Sequence, residues 1–507
     1  MFFVPILNSD NIPAFDSNLF NSISSCLGPV PDKYVINEYC VYRALCNLKE
    51  QKAVGPDGIP NSVFKSLAEL FSAPLCCIIN TSLCTGIVPH QWRTSRISPL
   101  PKVTPPTDII KHLRPISITS SLAKIAESFM CRFFNQHFSS YRDPNQFGCT
   151  KGLSTTLALV KLSHYLHKSL DNSSCFARIL FVDFTKSFDA INHNILYKKM
   201  LDINLPAHLR VWFLSFLINR FQYVSVNNLS SSFKVTNAGT PQGTLPGHID
   251  FNLIINDLRF NLDYEKYVDD TTVTSVSDDH LDNSLQQAAN ELLSWSVDNG
   301  MMINCPKTKE MLVYFGRKYP HNAVPNLIIN GASIERVHCF KLLGVYFNSD
   351  LTWTNHVSYI VSKASKRIYC IIQLVRAGVQ HKDIITVYCS IIRSVLEYCC
   401  QIWHPGLTLQ QSNELESIQK RCLRTIYPDL SYNSALRLSG LEKLSFRRER
   451  LVKDLFNQMK KTGLLSSYIE NRQTGHSTRN CYSYVVPKIR NSRTRRDFIT
   501  HCLFKKY

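Results

Sequence analysis

The segment RILFVDF (Arg178–Phe184) constrains the chain most. It is a short apolar run that ends in an acid, the pattern of a strand buried on both faces with Asp183 at its C-terminal end. Farther on, YEKYVDDTTVTSV (Tyr264–Val276) is two β-rich runs joined at Asp269-Asp270. That pattern predicts a hairpin with the acids at its tip. The two acidic places lie 86 residues apart in sequence, and neighbouring strands of one sheet would bring them together. Three converging carboxylates repel one another unless a cation lies between them, and hard oxygen ligands select Mg2+ or Mn2+. Each piece alone is commonplace, since paired aspartates usually mark a turn and a strand-end aspartate often caps a helix. Their combination carries the chemistry.

Charge narrows the partners. The chain of 507 residues has a net charge of +19, and the excess is uneven. From Val361 to Tyr507 there are 26 basic and 10 acidic residues, a net of +16 that leaves +3 for everything before. A field this lopsided favours a polyanion, most simply nucleic acid. The 18 cysteines form no C-x-x-C pair, which suits reduced, mostly buried thiols of an intracellular protein better than disulfides or a zinc site. Cys399, Cys400 and His404 read as core packing for the same reason. Hydrophobic residues make up 44%, enough for a sizeable core, so global disorder is excluded. No run reaches roughly 18 uncharged apolar residues, and the N-terminus has no basic region before its apolar stretch, so neither a membrane span nor a signal peptide is expected.

The pattern along the chain is mixed. Residues 1–50 read as helices with polar joints, Gly55-Pro56-Asp57-Gly58 as a turn, and SVFKSLAELFSAPLCCIINTSL as a helix. TSRISPLPK reads as a short strand ending in a loop, and LRPISITSSLAKIAESFMCRFFNQHF (Leu113–Phe138) as strand then helix. AGTPQGTLPG is a loop leading into an apolar helix, and SLQQAANELLSWSVDNGM is an amphipathic helix stopped near Gly300. MLVYF and KLLGVYF read as strands, and from His356 the pattern is mostly helical and basic.

In that order, FVDFTKSFD, GTPQG and YVDD resemble the palm motifs of reverse transcriptases. GPDGIPNSVFK, SLCTGIVPHQWRTSRISPLPK, LRPISITSSLAKIAESFM and QFGCTKGLSTT are similar to the fingers of non-long-terminal-repeat (LINE, Jockey-like) retrotransposon polymerases. LIINDL, WSVDNGMMINCPKTK, FKLLGVYFNSDLTW, LEYCCQIWHPGLT and LESIQKRCLR continue the likeness, which covers about residues 50 to 430. The resemblance implies an α+β right hand, with fingers, an antiparallel-sheet palm, a helical thumb and a basic helical C-terminal extension. The implied division is residues 1–83 as a helical lead-in to the fingers, 84–347 as fingers and palm, and 348–507 as thumb and extension. The implied activity is RNA-directed DNA synthesis from dNTPs on an RNA template and a DNA primer, with two Mg2+ or Mn2+ ions.

The roles below come from the resemblance. Asp183, Asp269 and Asp270 are the metal acids, with the backbone carbonyl of Phe184 beside them. Phe188 is the steric gate beneath the sugar. Gln242 and Gly243 meet the incoming nucleotide and template, and Gly239 allows close approach there. Lys102 and Arg114 hold the triphosphate, with Lys111 a rival for Lys102. Lys307 is a general acid for pyrophosphate, with Lys309 the alternative. Leu343 and Gly344 belong to the primer grip. Asp189 reads instead as the cap of the following helix. Arg447-Arg448, Lys460-Lys461 and Arg493 to Arg496 fit phosphate contacts, with Tyr482, Tyr484 and Phe498 to stack on bases, or else a solvated helical face.

The text departs from the family at TLPGHIDF, where His248 and Asp250 follow the PQG turn, and at Cys149 and Leu153. Asp250 would be an extra acid near the nucleotide site. No endonuclease-like segment precedes Ala53, and no zinc knuckle or ribonuclease H segment is visible, so the expectation is the polymerase portion of a larger or truncated reading frame. The competing reading is a decayed or domesticated copy that binds nucleic acid without catalysis. A telomerase or intron maturase fits the fingers and later text less well.

Overall fold

The structure, a computed structural model, describes residues 12–171, 175–227, 229–316, 324–470 and 484–507, apart from the side chains of residues 110 and 111. Tyr482 and the Lys111 side chain therefore lie outside what is described. In chain order the strands are β1 (Thr94–Pro101), β2 (Leu113–Ile118), β3 (Phe176–Val182), β4 (Arg220–Val226), β5 (Leu229–Ser230), β6 (Lys234–Thr236), β7 (Asp263–Tyr267), β8 (Asp270–Ser277), β9 (Lys309–Tyr314), β10 (Ile328–Ile329), β11 (Ala332–Ser333), β12 (Glu335–Arg336), β13 (Cys339–Leu342) and β14 (Val345–Asn348). The mixture of helix and sheet is α+β, as expected.

One five-stranded sheet runs β12-β9-β3-β8-β7, antiparallel except where β12 meets β9. All seven residues of β3 are buried, which explains why its sequence is an unbroken apolar run instead of an alternation. Leu180 and Val182 face a core built with the N-terminal helices and the helix Ser121–Phe138. Ala177, Ile179 and Phe181 face a second core built with the helix Thr155–Ser169 and the C-terminal helices. A separate sheet joins β2, β1 and β4, with β5 and β6 on β4.

The turn Gly55-Pro56-Asp57-Gly58 forms as read, with the Gly58 N–H bonded to the Gly55 carbonyl at 3.1 Å and Gly58 at φ +72°. KLLGVYF is a correction: it is not one strand but the hairpin β13–β14, turning at Leu343 (φ +45°) and Gly344 (φ +89°). After Lys341 the run is hydrophobic apart from Gly344, so its periodicity conceals the reversal. One apolar helix, which carries Glu69, bears on the membrane expectation. The helix Ala68–Thr85 is long and apolar enough to cross a membrane by length and composition alone. In the fold its residues Leu75, Ile79 and Leu83 are core, and it packs on the helices Glu38–Cys46 and Ala207–Leu217.

Among the described cysteines only six are buried, against six half-buried and five exposed. The cysteines are thus less buried than their sequence pattern suggests, because several sit on half-exposed helix and strand faces. Cys399 and Cys400 are core, as read, and His404 is paired with Glu449 at 2.8 Å.

Candidate active site

Register brings the acids together. β3 pairs with β8 so that Val182 faces Thr271. The next position along places Asp183 beside Asp270, and cross-strand neighbours share a face. β7 and β8 close with Tyr267 opposite Asp270, leaving Val268-Asp269 as the turn. Asp270 is accessible to solvent at this turn, although protein surrounds it closely. Its carboxyl is pushed up to about 6, by burial first and then by the charges of Asp269 and Asp183. Burial, helped by Asp269, also raises Asp183, while Lys307, Asn304 and Lys102 oppose that rise. The three acids therefore sense one another, as like charges sharing a site do.

Asp183 and Asp269 have local partners. Asn304 Nδ2 donates to Asp183 Oδ2 at 2.8 Å, and Ser187 Oγ donates to Asp269 Oδ2 at 2.9 Å. Lys307 Nζ stands 4.0 Å from Asp183 Oδ2, whereas Lys309 is engaged with Glu335 at 2.6 Å. Among the described residues, no three His, Cys, Asp or Glu side chains are gathered as a ready metal cage. The donor set nonetheless fits a hard divalent cation: it is all oxygen, and it carries mutual repulsion that a cation would relieve. Phe184 is buried, and its bridge to Ile303 uses the Asp183 carbonyl and the Thr185 N–H. That pattern leaves the Phe184 carbonyl outside the ladder.

Two features escaped sequence reading. Val268 is held at φ +60°, a rare conformation for a β-branched residue. Buried Gln146 clamps it: Gln146 Oε1 accepts from the Val268 N–H at 3.0 Å and from the Gly148 N–H at 2.8 Å. A Cβ on Gly148 would lie 2.4 Å from Val268 N, so only glycine lets this segment sit against the turn. Such strain persists where the surroundings over-determine it, commonly at functional sites. Gln146 and Val268 are 122 positions apart, and no local signal joins them.

The nucleotide-facing residues arrive from the other sheet and the PQG loop. β1 and β2 place Leu100 opposite Arg114 and Pro101 opposite Leu113, which leaves Lys102 at the hairpin's edge. The Lys102 ammonium is lowered by burial and then by Arg114 and Lys307, while Asp189 and Asp183 pull it back. Cations from both sheets thus face the acids. The Gln242 carbonyl accepts from Ser117 N–H at 2.7 Å, and its Nε2 donates to Asp189 Oδ1 at 3.0 Å. Asp189 is therefore not a helix cap; Asn192 caps the helix His193–Asp202. Asp189 is buried one turn too early for that role and is bound to the loop instead. Gly243 has φ +103°, and a Cβ there would meet Ser117 O at 3.2 Å, so its close approach is to β2. Phe188 stacks on Phe251 with centroids 5.0 Å apart.

Asp250 does not face the site. It is fully buried, accepts from Thr240 Oγ1 at 2.8 Å and is pushed up to about 7 by burial. At the β13–β14 turn, a Cβ on Gly344 would meet the Tyr398 ring at 3.0 Å, and Tyr398 OH donates to the Leu343 carbonyl at 2.8 Å. Leu342 and Leu343 line a small recess together with Asp270. In the basic C-terminal part, Arg448 and Phe498 are wholly buried, Arg447 is bound to Glu397, and Lys460 donates to the Tyr507 carbonyl at 2.8 Å. Tyr484 packs on Phe456. These residues hold the core together; they are not a base-stacking surface. Lys461, Arg495 and Arg496 remain exposed.

Residues 100–347 match the family model described as reverse transcriptase (RNA-dependent DNA polymerase). The chain is 25% identical over 407 residues to the probable RNA-directed DNA polymerase from transposon BS of Drosophila melanogaster, covering 76% of this chain and 44% of that protein. It is 26% identical over 412 residues to the RNA-directed DNA polymerase from mobile element jockey of the same fly, covering 76% and 43%. The Pol polyprotein of the R1 element of Bradysia coprophila is 22% identical over 468 residues, covering 89% and 44%. The chain thus spans less than half the length of these curated relatives.

Proposed function

From the premise that residues 100–347 form a reverse transcriptase domain, we propose that this protein is the RNA-directed DNA polymerase of a Jockey-like retrotransposon. It extends a DNA primer with dNTPs on an RNA template. The observation that carries the reading is the meeting of Asp183 with Asp269 and Asp270 across adjacent strand ends, opposed by Lys102 and Lys307. In the right-hand description, the β12-β9-β3-β8-β7 sheet is the palm and the β1–β2 hairpin belongs to the fingers. The C-terminal helices are the thumb and its extension, with divisions near residues 83 and 347.

Asp183, Asp269, Asp270 and the Phe184 carbonyl would hold two divalent cations. Such ions, when bound, supply Lewis acidity for the primer hydroxyl and the leaving pyrophosphate. The other work belongs to the chain. Arg114 and Lys102 neutralise the triphosphate, Arg as a planar fork and Lys as a point charge. Lys307, close to Asp183 yet largely exposed, donates a proton to pyrophosphate. Gln242, fixed by Asp189, orients the incoming nucleotide. Phe188 fills the space a ribose 2′-hydroxyl would need. Leu343 and Gly344 seat the primer end beside Asp270.

The polyanion track is reassigned to the helix Thr354–Arg376, which has four basic residues and no acid. Its Lys363, Lys366 and Arg376 are exposed, and Tyr359 lies under Lys341 at 4.6 Å. Cations beside aromatic rings suit a nucleic-acid backbone with stacked bases. The intact acids favour catalysis over a binding-only remnant. Primer extension on an RNA template with Mg2+ tests the choice. Extension by the wild type, with loss in Asp269→Asn and RNA binding retained, supports the polymerase. Binding without wild-type extension supports the remnant.

A further inference from the structure

The TLPGHIDF segment departs from the family pattern, and the fold shows where the departure leads. It forms the helix Leu245–Ile254. His248 and Phe251 are three residues apart, so they project from one helix face. Both rings meet Phe188. Phe251, wholly buried, stacks on it at 5.0 Å with planes 23° apart. His248, exposed, approaches edge-on at 6.0 Å and 75°. Both geometries are favourable aromatic arrangements. The backbone of Phe188 is tied to the same unit, because its carbonyl accepts from the Thr240 N–H at 2.9 Å. Thr240 Oγ1 in turn donates to Asp250 Oδ2 at 2.8 Å, and Asp250 is the residue just before Phe251.

The helix therefore holds Phe188 by ring face and ring edge, and Thr240, in the loop before the helix, holds its backbone. Two of the three grips are built into the buried core. The third, His248, is on the surface and is not required to close the core.

We propose that His248 is a positioning residue that fixes the Phe188 ring and so sets discrimination between deoxyribonucleotides and ribonucleotides. This rests on the reading of Phe188 as the sugar-selecting residue. A ring free to tilt leaves room for a 2′-hydroxyl. A ring held on face and edge excludes that group by a clash that costs the wrong substrate more than the right one. Asp250, through Thr240, holds the backbone on which this geometry depends.

The test is primer extension by the full chain on an RNA template, with kcat/KM measured for dATP and ATP. The variants are Phe188→Ala, His248→Ala, His248→Tyr and the double variant. Phe188→Ala raises relative ATP use the most. His248→Ala raises it about three- to tenfold, the scale of one aromatic pair, through a lower KM for ATP. His248→Tyr, which restores a ring edge, returns the ratio toward that of the wild type. The double variant matches Phe188→Ala, because His248 acts only through that ring. A ratio unchanged in His248→Ala while Phe188→Ala shifts it overturns the role of His248. A ratio unchanged in Phe188→Ala overturns the sugar-selecting reading itself.

Discussion

Asp250 offers a quantitative test of the core beneath the PQG loop. Its carboxyl is fully buried and raised from 3.8 to about 7, chiefly by burial, with Thr240 and Arg220 opposing. The charged and titratable groups that face it are Arg220, whose own value is lowered to about 10, and Cys131, raised by burial; Glu127 lies beside Arg220. A carboxyl with a raised folded-state value binds its proton more tightly when folded. Its contribution is complete below about pH 4 and is lost as pH rises through about 7. At 1.36 kcal/mol per unit, the loss between pH 5 and 8 is about 3 kcal/mol. Asp250→Asn keeps an acceptor for Thr240 and removes the titration. Urea unfolding at pH 5 and pH 8 should show the wild type losing about 3 kcal/mol more than the variant across that interval. Glu265, raised to about 8 by burial, adds the same slope to both proteins and cancels in the difference. Parallel losses would refute the reasoning, because they would mean that Asp250 is ionised in the folded protein and neutralised by Arg220.

Gly148→Ala drives a Cβ into the Val268 backbone; extension should fall by about a hundredfold, the usual result of a small displacement of reacting groups, with single-turnover rates as the measurement. Wild-type rates would mean that the clamp does not position Asp269. Lys266 and Asp143 are a wholly buried pair at 2.7 Å, so Lys266→Met should cost about 3–5 kcal/mol in urea unfolding by stranding a carboxylate. Lys363→Ala combined with Lys366→Ala should reduce the slope of log affinity against log salt for RNA by about 1.5, read by fluorescence anisotropy. Phe498→Ala should instead leave that slope unchanged and lower stability by about 3–5 kcal/mol.

The acid-bearing elements were legible because their signals are local. β3 shows its double burial as an unbroken apolar run, and the hairpin shows Asp269-Asp270 between two β-rich stretches. The β13–β14 turn was hidden because Leu343 takes a positive φ that apolar periodicity does not report. Arg448 and Phe498 were misplaced because burial is a tertiary property, and a basic stretch looks alike on a surface and inside a helical core. Proximity to a helix makes Asp189 look like a cap, yet its partner Gln242 is 53 positions away. The Gln146 clamp on Val268 is likewise a long-range contact. The strand end and hairpin that carry these acids are legible in sequence; the long-range contacts that hold them in place are not.

The central claim is that Asp183, Asp269 and Asp270 act as one cation-binding set during nucleotide addition. The most direct measurement is Mn2+ titration by electron paramagnetic resonance, using protein loaded with RNA template, a dideoxy-ended primer and the matching dNTP. Two tightly held ions in the wild type, with at least one lost in Asp183→Asn and in Asp270→Asn, is the predicted result. Undiminished Mn2+ binding in both variants would contradict it.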